Sequence, residues 1–195
     1  MKILGISASP RQGKSTCQAL KTCLDAAAES GAEVRLIELA DRNINGCLAC
    51  GACMKKLQCS QDDDFAELIP ALADPELGAL ILASPVYFCG MTSQAKAFLD
   101  RCVMLRRNGF LLRDKVGGAL AVGGFRNGGQ ELTMQSIHAA MLAQDMIIVS
   151  EGMPTSHLGA ACFSGGANGM QGDDFGLKLA ASLGRRAAEA ALKLA

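Results

Sequence analysis

The chain has 195 residues, half of them hydrophobic, and its 19 basic and 19 acidic residues cancel in charge. A chain of this length and composition buries one substantial core, which predicts a single domain spanning residues 1–195. Because no long block of like charge is present, we expect neither a nucleic-acid nor a membrane partner.

Nine cysteines are many for this length, and Met1 is followed at once by a strand pattern rather than by a signal sequence. We therefore expect a cytoplasmic protein whose cysteines serve metal or redox chemistry or pack in the core, instead of forming disulfides. The uncharged stretch 77–95 is interrupted by Pro85, two glycines and several hydroxyls, which favours a buried strand and a loop over a membrane span.

Strand and helix patterns alternate along the chain. Parallel strands need crossover connections, and helices supply them, so the alternation predicts an α/β doubly wound sheet of five parallel strands. Its common strand order, 2-1-3-4-5, opens a crevice at the C-terminal ends of the first and third strands. The predicted strands are 2–6, 33–39, 79–83, 116–122 and 146–149, and the predicted helices are 15–30, 65–73, 92–104, 131–144 and 175–194.

The loop after the first strand, SASPRQGKST (residues 7–16), ends like an ATP-binding P-loop. That pattern, G-x-x-x-x-G-K-S/T, requires a first glycine where this chain has Ala8, so the match fails. A short strand, a hydroxyl-rich loop and a helix still direct backbone N–H groups at an anion. We expect this loop to bind a phosphate, and no G-x-G-x-x-G dinucleotide fingerprint follows the first strand.

Two further loops reach the same crevice. SPVYFCGM (84–91) combines a proline, an aromatic pair and a glycine, and GGFRNGG (123–129) adds one aromatic residue and one cation. Each feature alone is ordinary for a βα loop, and Tyr87 or Phe88 could simply cap the core. Their convergence with the phosphate loop favours a phosphorylated flat ligand such as flavin mononucleotide (FMN).

These segments resemble the NADPH-dependent FMN reductases, which have a flavodoxin-like fold. SASPRQGKST is similar to their phosphate loop, SPVYFCGMTSQAKAFLDR (84–101) to their ring loop with its following helix, and GGFRNGGQE to their third flavin loop. The resemblance covers nearly the whole chain. It implies that FMN is bound by Ser7, Ser9, Arg11, Gly13, Ser15 and Thr16 in the phosphate loop, by Pro85, Val86, Tyr87, Phe88, Gly90 and Met91 in the ring loop, and by Gly124, Phe125, Arg126, Gly128 and Gly129 in the third loop.

The segment 45–62, hereafter the cysteine loop, contains Cys47, Cys50, Cys53 and Cys59 in the pattern C-x-x-C-x-x-C-x-x-x-x-x-C. Three cysteines spaced by two residues can bind three irons of a cubane, and a nearby fourth completes the set, as in ferredoxins. A zinc site and four free thiols are the alternatives, although zinc usually draws on two separated pairs.

Within the family, this motif resembles that of the iron-sulfur flavoproteins, whose compact cysteine motif binds a 4Fe-4S cluster beside FMN. Because the cysteine loop follows the second strand, we expect its thiols at the same edge of the sheet as the flavin loops.

The remaining cysteines and the two histidines show no metal-binding spacing. Cys89 is the exception of interest, because it lies inside the ring loop, and His138 and His157 receive no role. The loop before the last helix ends in Asp173 and Asp174, either of which can cap that helix. The other scattered cysteines, predicted to pack in the core or between helices, are Cys17, Cys23, Cys102 and Cys162.

The resemblance implies an FMN-dependent oxidoreductase that passes electrons between NAD(P)H or a ferredoxin-type donor, FMN and a 4Fe-4S cluster, with no residue acting as nucleophile or general base. It also implies a homodimer or homotetramer, since in such reductases a neighbouring chain forms part of the flavin-binding site. The alternatives are a plain NAD(P)H-dependent FMN reductase without a cluster, a non-enzymatic flavodoxin-type electron carrier, and a thiol- or metal-sensing regulator.

Overall fold

All strands belong to one parallel sheet in the computed structural model, which describes residues 1–195. The order β2-β1-β3-β4-β5 confirms the predicted 2-1-3-4-5 arrangement, and a sixth strand also pairs with β4. The strands are β1 (Lys2–Ser7), β2 (Glu33–Glu38), β3 (Leu77–Pro85), β4 (Val116–Gly123), β5 (Ile147–Ile148) and β6 (Ala160–Phe163).

The fifth position of the sheet is shared by two short strands. β5 pairs with the start of β4, at Val116 and Gly117, and β6 pairs with its end, from Leu120 to Gly123. Between them, residues 149–159 leave the sheet. The prediction of one strand at 146–149 was therefore incomplete, because a four-residue apolar run such as β6 is too short to show a strand period.

Helices cover the sheet on both faces. The predicted helix 65–73 is a 3-10 turn, Asp64–Leu68, followed by a single α-helical turn, and the predicted helix 92–104 divides in two at Cys102. None of the helices combines the length and the hydrophobicity needed to cross a bilayer. The helices are α1 (Ser15–Glu29), α2 (Ile69–Leu72), α3 (Ser93–Arg101), α4 (Val103–Arg107), α5 (Gln130–Leu142) and α6 (Asp174–Leu194), with further 3-10 turns at Ala52–Met54 and Gly169–Gly172.

The core consists of two hydrophobic clusters, one on each face of the sheet. Successive residues of β1 alternate between them: Ile3 packs with α1 and α6, and Leu4 packs with the helices of the opposite face, including Phe98 of α3. This explains why the strands read as continuous apolar runs, since both faces of a parallel sheet are buried.

The helices α1 and α6 approach each other closely at Gly184. A Cβ atom at this position would lie 1.8 Å from the carbonyl oxygen of Cys23 and 3.3 Å from the backbone nitrogen of Ala27. Only glycine permits this backbone-to-backbone contact. Because α1 begins directly after the phosphate loop, the contact with α6 also helps to fix the position of that loop.

Candidate functional site

The three loops predicted to bind flavin follow β1, β3 and β4, which are neighbours in the sheet. Hydrogen bonds continue the sheet into the loops: the N–H of Ala8 donates to Ala83 at 2.8 Å, and the N–H of Val86 donates to Val122 at 2.9 Å. Since parallel strands end at the same edge, the structure brings the three loops together at the C-terminal edge of the sheet.

The phosphate loop leaves polar groups available for an anion. The first N–H groups of helix α1, which begins at Ser15, have no partner within the helix. No side chain caps them, and the first turn contains no acidic residue that would repel an anion. The hydroxyl of Ser7 is buried and makes no hydrogen bond. Ser9 and Thr16 are also buried, whereas Arg11 is exposed. A phosphate fits this set of donors.

Glu38, at the end of β2, contacts the phosphate loop and was missed by sequence reasoning. Its carboxylate accepts the N–H of Gly13 at 2.9 Å. Burial, followed by a hydrogen bond to Glu38, raises the pKa of the Cys17 thiol to about 11, so Cys17 is protonated at neutral pH. Glu38 pairs in register with Ser7. The predicted strand order already placed the second strand beside the first, and this was the one indication that the end of β2 would lie near the phosphate loop.

The ring loop forms a tight turn between Tyr87 and Gly90. The N–H of Tyr87 donates to the carbonyl of Gly90 at 2.9 Å, and the N–H of Gly90 donates back at 3.0 Å. Phe88 and Cys89, at the turn, have φ values of 49° and 59°, a left-handed conformation that costs a non-glycine residue about 1–3 kcal/mol. The Phe88 side chain is fully exposed and Tyr87 is 47% exposed, so neither aromatic residue caps the core.

Thr92 joins the ring loop to the phosphate loop. Its hydroxyl donates to the carbonyl oxygen of Ala8 at 2.7 Å and accepts the N–H of Ala95 at 3.1 Å, which caps α3. Its own N–H donates to the Ser84 hydroxyl at 3.1 Å. Among the implied ring-loop residues, Pro85 is buried at the end of β3, and the partly buried ones are Val86, Gly90 and Met91.

Gln130, which had no predicted role, organises the third loop. Its side chain is buried, donates to the carbonyl of Phe125 at 2.7 Å and accepts the N–H of Gly128 at 2.8 Å. The Phe125 side chain is 80% exposed, and Gly124 is exposed beside it. In the sequence, the one indication of this role was the position of Gln130, which ends the segment GGFRNGGQ just before a predicted helix.

The ring loop and the third loop touch at Cys89. A Cβ atom on Gly129, whose φ is +107°, would lie 2.7 Å from the Cα of Cys89. The Cys89 thiol also lies 3.8 Å from the carbonyl oxygen of Gly128. Cys89 therefore lies at the junction of the two loops predicted to border the flavin ring.

Arg126 is held by Asp173 and by the end of β6. Its guanidinium donates to Asp173 at 2.6 Å and lies over the ring of Phe163, 5.0 Å from the centroid. The other Asp173 oxygen accepts the N–H of Phe163 at 2.6 Å. Asp173 occupies the predicted N-cap position of α6, but its side chain makes no capping hydrogen bond, and Asp174 is the first residue of the helix.

The chain leaves β2 at the same edge of the sheet as the flavin loops, as predicted, and the cysteine loop that follows lies against α3 and α4. Both of its ends are held by a buried ion pair: Arg101 donates to the two Asp63 oxygens at 2.7 and 2.8 Å and to the carbonyl of Asn45 at 2.9 Å. Both charged side chains are almost fully buried. The hydrogen bonds from Arg101 lower the pKa of Asp63 to about 2.

The four predicted ligand thiols differ in exposure: Cys47 and Cys50 are exposed, and Cys53 and Cys59 are partly buried. Arg107 donates to the Cys53 sulfur at 3.3 Å, and the Cys50 sulfur lies 3.1 Å from the Ser60 hydroxyl. The contact with Ser60 is the main cause of a lowered Cys50 pKa.

Backbone N–H groups contact the other two sulfurs of the loop, Cys47 at 3.4 Å and Cys59 at 3.5 Å. The donor set therefore suits an iron-sulfur cluster, whose thiolates are stabilised by hydrogen bonds. No group of three or more Cys, His, Asp or Glu side chains is already arranged to hold a metal ion.

The sequence is similar to those of known flavoproteins. The model of the family described as NADPH-dependent FMN reductase matches residues 1–161. An iron-sulfur flavoprotein of Methanocaldococcus jannaschii is 42% identical over 189 residues, which cover 97% of this chain and 96% of that protein. An iron-sulfur flavoprotein of Methanosarcina thermophila is 43% identical over 159 residues, or 82% and 81% of the two chains.

Solved structures support the fold. A flavodoxin, WrbA-like protein from Agrobacterium tumefaciens superimposes with a TM-score of 0.68 at 18% identity, covering all of this chain and 99% of its own. At this identity the likeness concerns the fold alone, and it confirms the predicted flavodoxin-like architecture.

Proposed function

Because the chain belongs to the NADPH-dependent FMN reductase family, we propose that it is an FMN-dependent oxidoreductase passing electrons between NAD(P)H or a ferredoxin-type donor and a 4Fe-4S cluster in the cysteine loop. The observation that carries this proposal is the convergence of three loops, after the adjacent strands β1, β3 and β4, on one edge of the sheet. Bound FMN would supply exchange of two electrons with a nicotinamide and of single electrons with the cluster.

The phosphate loop binds the negative end of the cofactor. The Ser7 hydroxyl and the free N–H groups of the first turn of α1 supply hydrogen bonds, and the exposed Arg11 supplies a positive charge. Gly13 differs from these residues, because its N–H already donates to Glu38. Ser9, Ser15 and Thr16 complete the hydroxyl set.

The ring loop and the third loop border the flavin ring. Their backbones are fixed by the turn at Tyr87–Gly90 and by the Gln130 side chain, so N–H groups and aromatic faces are positioned before the cofactor binds. Preorganised backbone groups of this kind orient a cofactor at little entropic cost. No side chain is required to act as a nucleophile or a general base.

The cysteine loop provides the proposed cluster ligands Cys47, Cys50, Cys53 and Cys59. The buried pair of Arg101 and Asp63 closes the base of this loop, and Arg107 places a positive charge beside Cys53. Positive charge and N–H donors next to thiolates favour the binding of an anionic cluster. Two relatives that are named iron-sulfur flavoproteins support the same assignment.

A plain NAD(P)H-dependent FMN reductase is the second candidate. It is favoured by the arrangement of the cysteine loop, in which no three metal-binding side chains are gathered. In that case the loop carries free thiols or zinc, and the flavin loops act alone.

We also propose that the chain forms a homodimer or a homotetramer. The support is the exposure of Phe88 and Phe125 at the flavin edge, where a neighbouring chain would cover both aromatic rings. Light scattering of the flavin-loaded protein tests this assembly, and a monomer with full flavin occupancy would contradict it.

Cofactor analysis of anaerobically purified protein tests the proposed function. We expect FMN as the extracted flavin and about four iron and four sulfide ions per chain. Recovery of FAD, or no flavin after reconstitution, would contradict the flavin assignment. FMN without iron and sulfide would support the plain reductase instead.

A further inference from the structure

An acidic residue of the neighbouring strand lies against the phosphate loop. Glu38, the last residue of β2, pairs in register with Ser7, the last residue of β1. Its carboxylate accepts the N–H of Gly13 at 2.9 Å, and the Cys17 thiol of α1 is hydrogen-bonded to the same carboxylate. Glu38 therefore places a negative charge directly beside a loop that is proposed to bind an anion.

This contact divides the hydrogen-bond donors of the phosphate loop into two sets. The buried hydroxyl of Ser7 has no protein partner, and the N–H groups in the first turn of α1 are not capped by a side chain. These donors are free to bind one phosphate group. The N–H of Gly13 is not free, because Glu38 accepts it. In a P-loop, by contrast, the backbone N–H groups of the loop surround more than one phosphate.

The surface next to Gly13 is also acidic. An open groove of about 530 Å³ extends from Gln12 along β2. A second phosphate group on this side of the loop would meet an excess of negative charge, and contacts between like charges are unfavourable. The charged residues that line the groove are Glu38, Asp41, Asp64 and Glu67, against Arg35 and Arg42, of which Arg42 is already paired with Glu67.

Arg11 and Lys14 give the phosphate loop its positive charge. Both side chains are exposed, and neither forms an ion pair within the protein. They attract an anion to the loop, but charges surrounded by water contribute little to the choice between one phosphate group and two. Glu38, which is half-buried and hydrogen-bonded to the loop itself, is better placed to make that choice.

We infer that Glu38 is a specificity-determining residue that restricts the phosphate loop to a single phosphate group. Glu38 occupies the N–H of Gly13 and repels a second phosphate, so the loop accepts the monophosphate of FMN and rejects flavin diphosphates, including FAD. This role rests on the proposed function, because it takes FMN as the ligand of the loop. Glu38 thereby selects the cofactor, which is distinct from holding the loop in shape.

Riboflavin 5′-diphosphate is the probe for the test, because it adds one phosphate to FMN without the adenosine of FAD. The whole chain, freed of flavin, is titrated with FMN and with the probe, and the quenching of flavin fluorescence measures both affinities. We expect the wild type to bind FMN roughly tenfold more tightly than the probe. Equal affinities would overturn the role of Glu38, whereas a chain that binds no FMN would contradict the proposed function instead.

Two variants separate the charge of Glu38 from its hydrogen bond. Glu38→Gln keeps an acceptor for the Gly13 N–H but removes the charge, and Glu38→Ala also frees the N–H. The preference for FMN over the probe should fall several-fold in Glu38→Gln and further in Glu38→Ala. Glu33→Gln, at the exposed start of β2, is the matched control and should keep the wild-type preference. If both Glu38 variants bind FMN and the probe with affinities changed by the same factor, Glu38 only holds the loop and does not select the cofactor.

Discussion

The hydroxyl of Thr92 donates a hydrogen bond to the carbonyl oxygen of Ala8 at 2.7 Å, although 84 positions separate the two residues. Ala8 lies in the phosphate loop, and Thr92 ends the ring loop and caps α3. One side chain therefore fixes the distance between the two segments proposed to bind opposite ends of the same cofactor.

Replacing Thr92 by valine tests this coupling. Thr92→Val keeps the shape but leaves the Ala8 oxygen and the Ala95 N–H buried without partners, so the free energy of unfolding should fall by about 1–3 kcal/mol. FMN affinity should also fall, by roughly tenfold. Thr92→Ser, which keeps the hydroxyl, is the control in chemical denaturation and flavin titration. A valine variant with wild-type FMN affinity would show that the two loops are positioned independently.

Ser7→Ala should weaken FMN binding without lowering the stability of the protein. The Ser7 hydroxyl makes no hydrogen bond to another protein group, so its removal should leave the free energy of unfolding of the apoprotein unchanged or slightly higher. FMN affinity should fall by about 1 kcal/mol, because the phosphate loses one donor. Denaturation of the apoprotein and fluorescence titration with FMN measure the two effects. Loss of stability without loss of affinity would remove Ser7 from the phosphate site.

The ion pair of Asp63 and Arg101 predicts a defined response to acid. The pKa of Asp63 is lowered from 3.8 to about 2, so its contribution to stability is complete above pH 4 and is lost as the pH falls toward 2. Asp63→Asn leaves a buried guanidinium without a counter-ion and should lower the free energy of unfolding at pH 7 by about 3–5 kcal/mol.

The double variant Asp63→Asn/Arg101→Met is the control for this prediction. It removes both charges, so it should be less destabilised than Asp63→Asn alone. Thermal denaturation between pH 2 and pH 7 measures both effects. If Asp63→Asn retains the wild-type decline in stability between pH 4 and pH 2, another carboxylate is responsible for that decline.

Cys50→Ala tests the proposed cluster. The variant removes one of four ligands and leaves the phosphate loop untouched, so it should keep FMN but lose iron, sulfide and the broad iron-sulfur absorbance. Electron transfer to one-electron carriers should fall more than direct reduction of the flavin. Cys89→Ser, outside the cysteine loop, should retain the iron content. A Cys50→Ala protein with full absorbance and full one-electron rate would support the plain reductase.

Arg107→Gln tests whether α4 influences the proposed cluster. Arg107 donates to the Cys53 sulfur, and its charge favours the more negative, reduced form of a bound cluster. Removing the charge should shift the cluster's reduction potential to more negative values without changing the FMN content. A redox titration followed by electron paramagnetic resonance measures the shift, with Arg113→Gln as control. Equal potentials in both variants would exclude this role.

The strand order and the positions of the flavin loops could be predicted from the sequence because they depend on local patterns. Short apolar segments typical of buried strands alternate with segments that have the hydrophobic spacing of helices, and this alternation predicts a doubly wound sheet. The topology of such a sheet brings residues 7–16 and 84–91 to one edge. β6 could not be predicted in this way, since its place beside β4 depends on residues 149–159 leaving the sheet and returning.

The residues that shape the site were harder to find. Glu38 contacts Gly13 from another strand, and Gln130 acts through backbone groups that precede it. The pair of Arg101 and Asp63 joins positions 38 apart. Such contacts depend on side-chain positions in the folded chain, and neither residue spacing nor hydrophobic period contains that information.

The close contact of Gly184 with Cys23 has a genetic consequence. Any side chain at position 184 would push α1 away from α6, and the start of α1 would move with it. A screen for variants that have lost their yellow colour should therefore yield substitutions at Gly184, on the last helix, alongside those in the phosphate loop. Such mutations would look like cofactor-binding defects in a residue that no cofactor atom needs to touch.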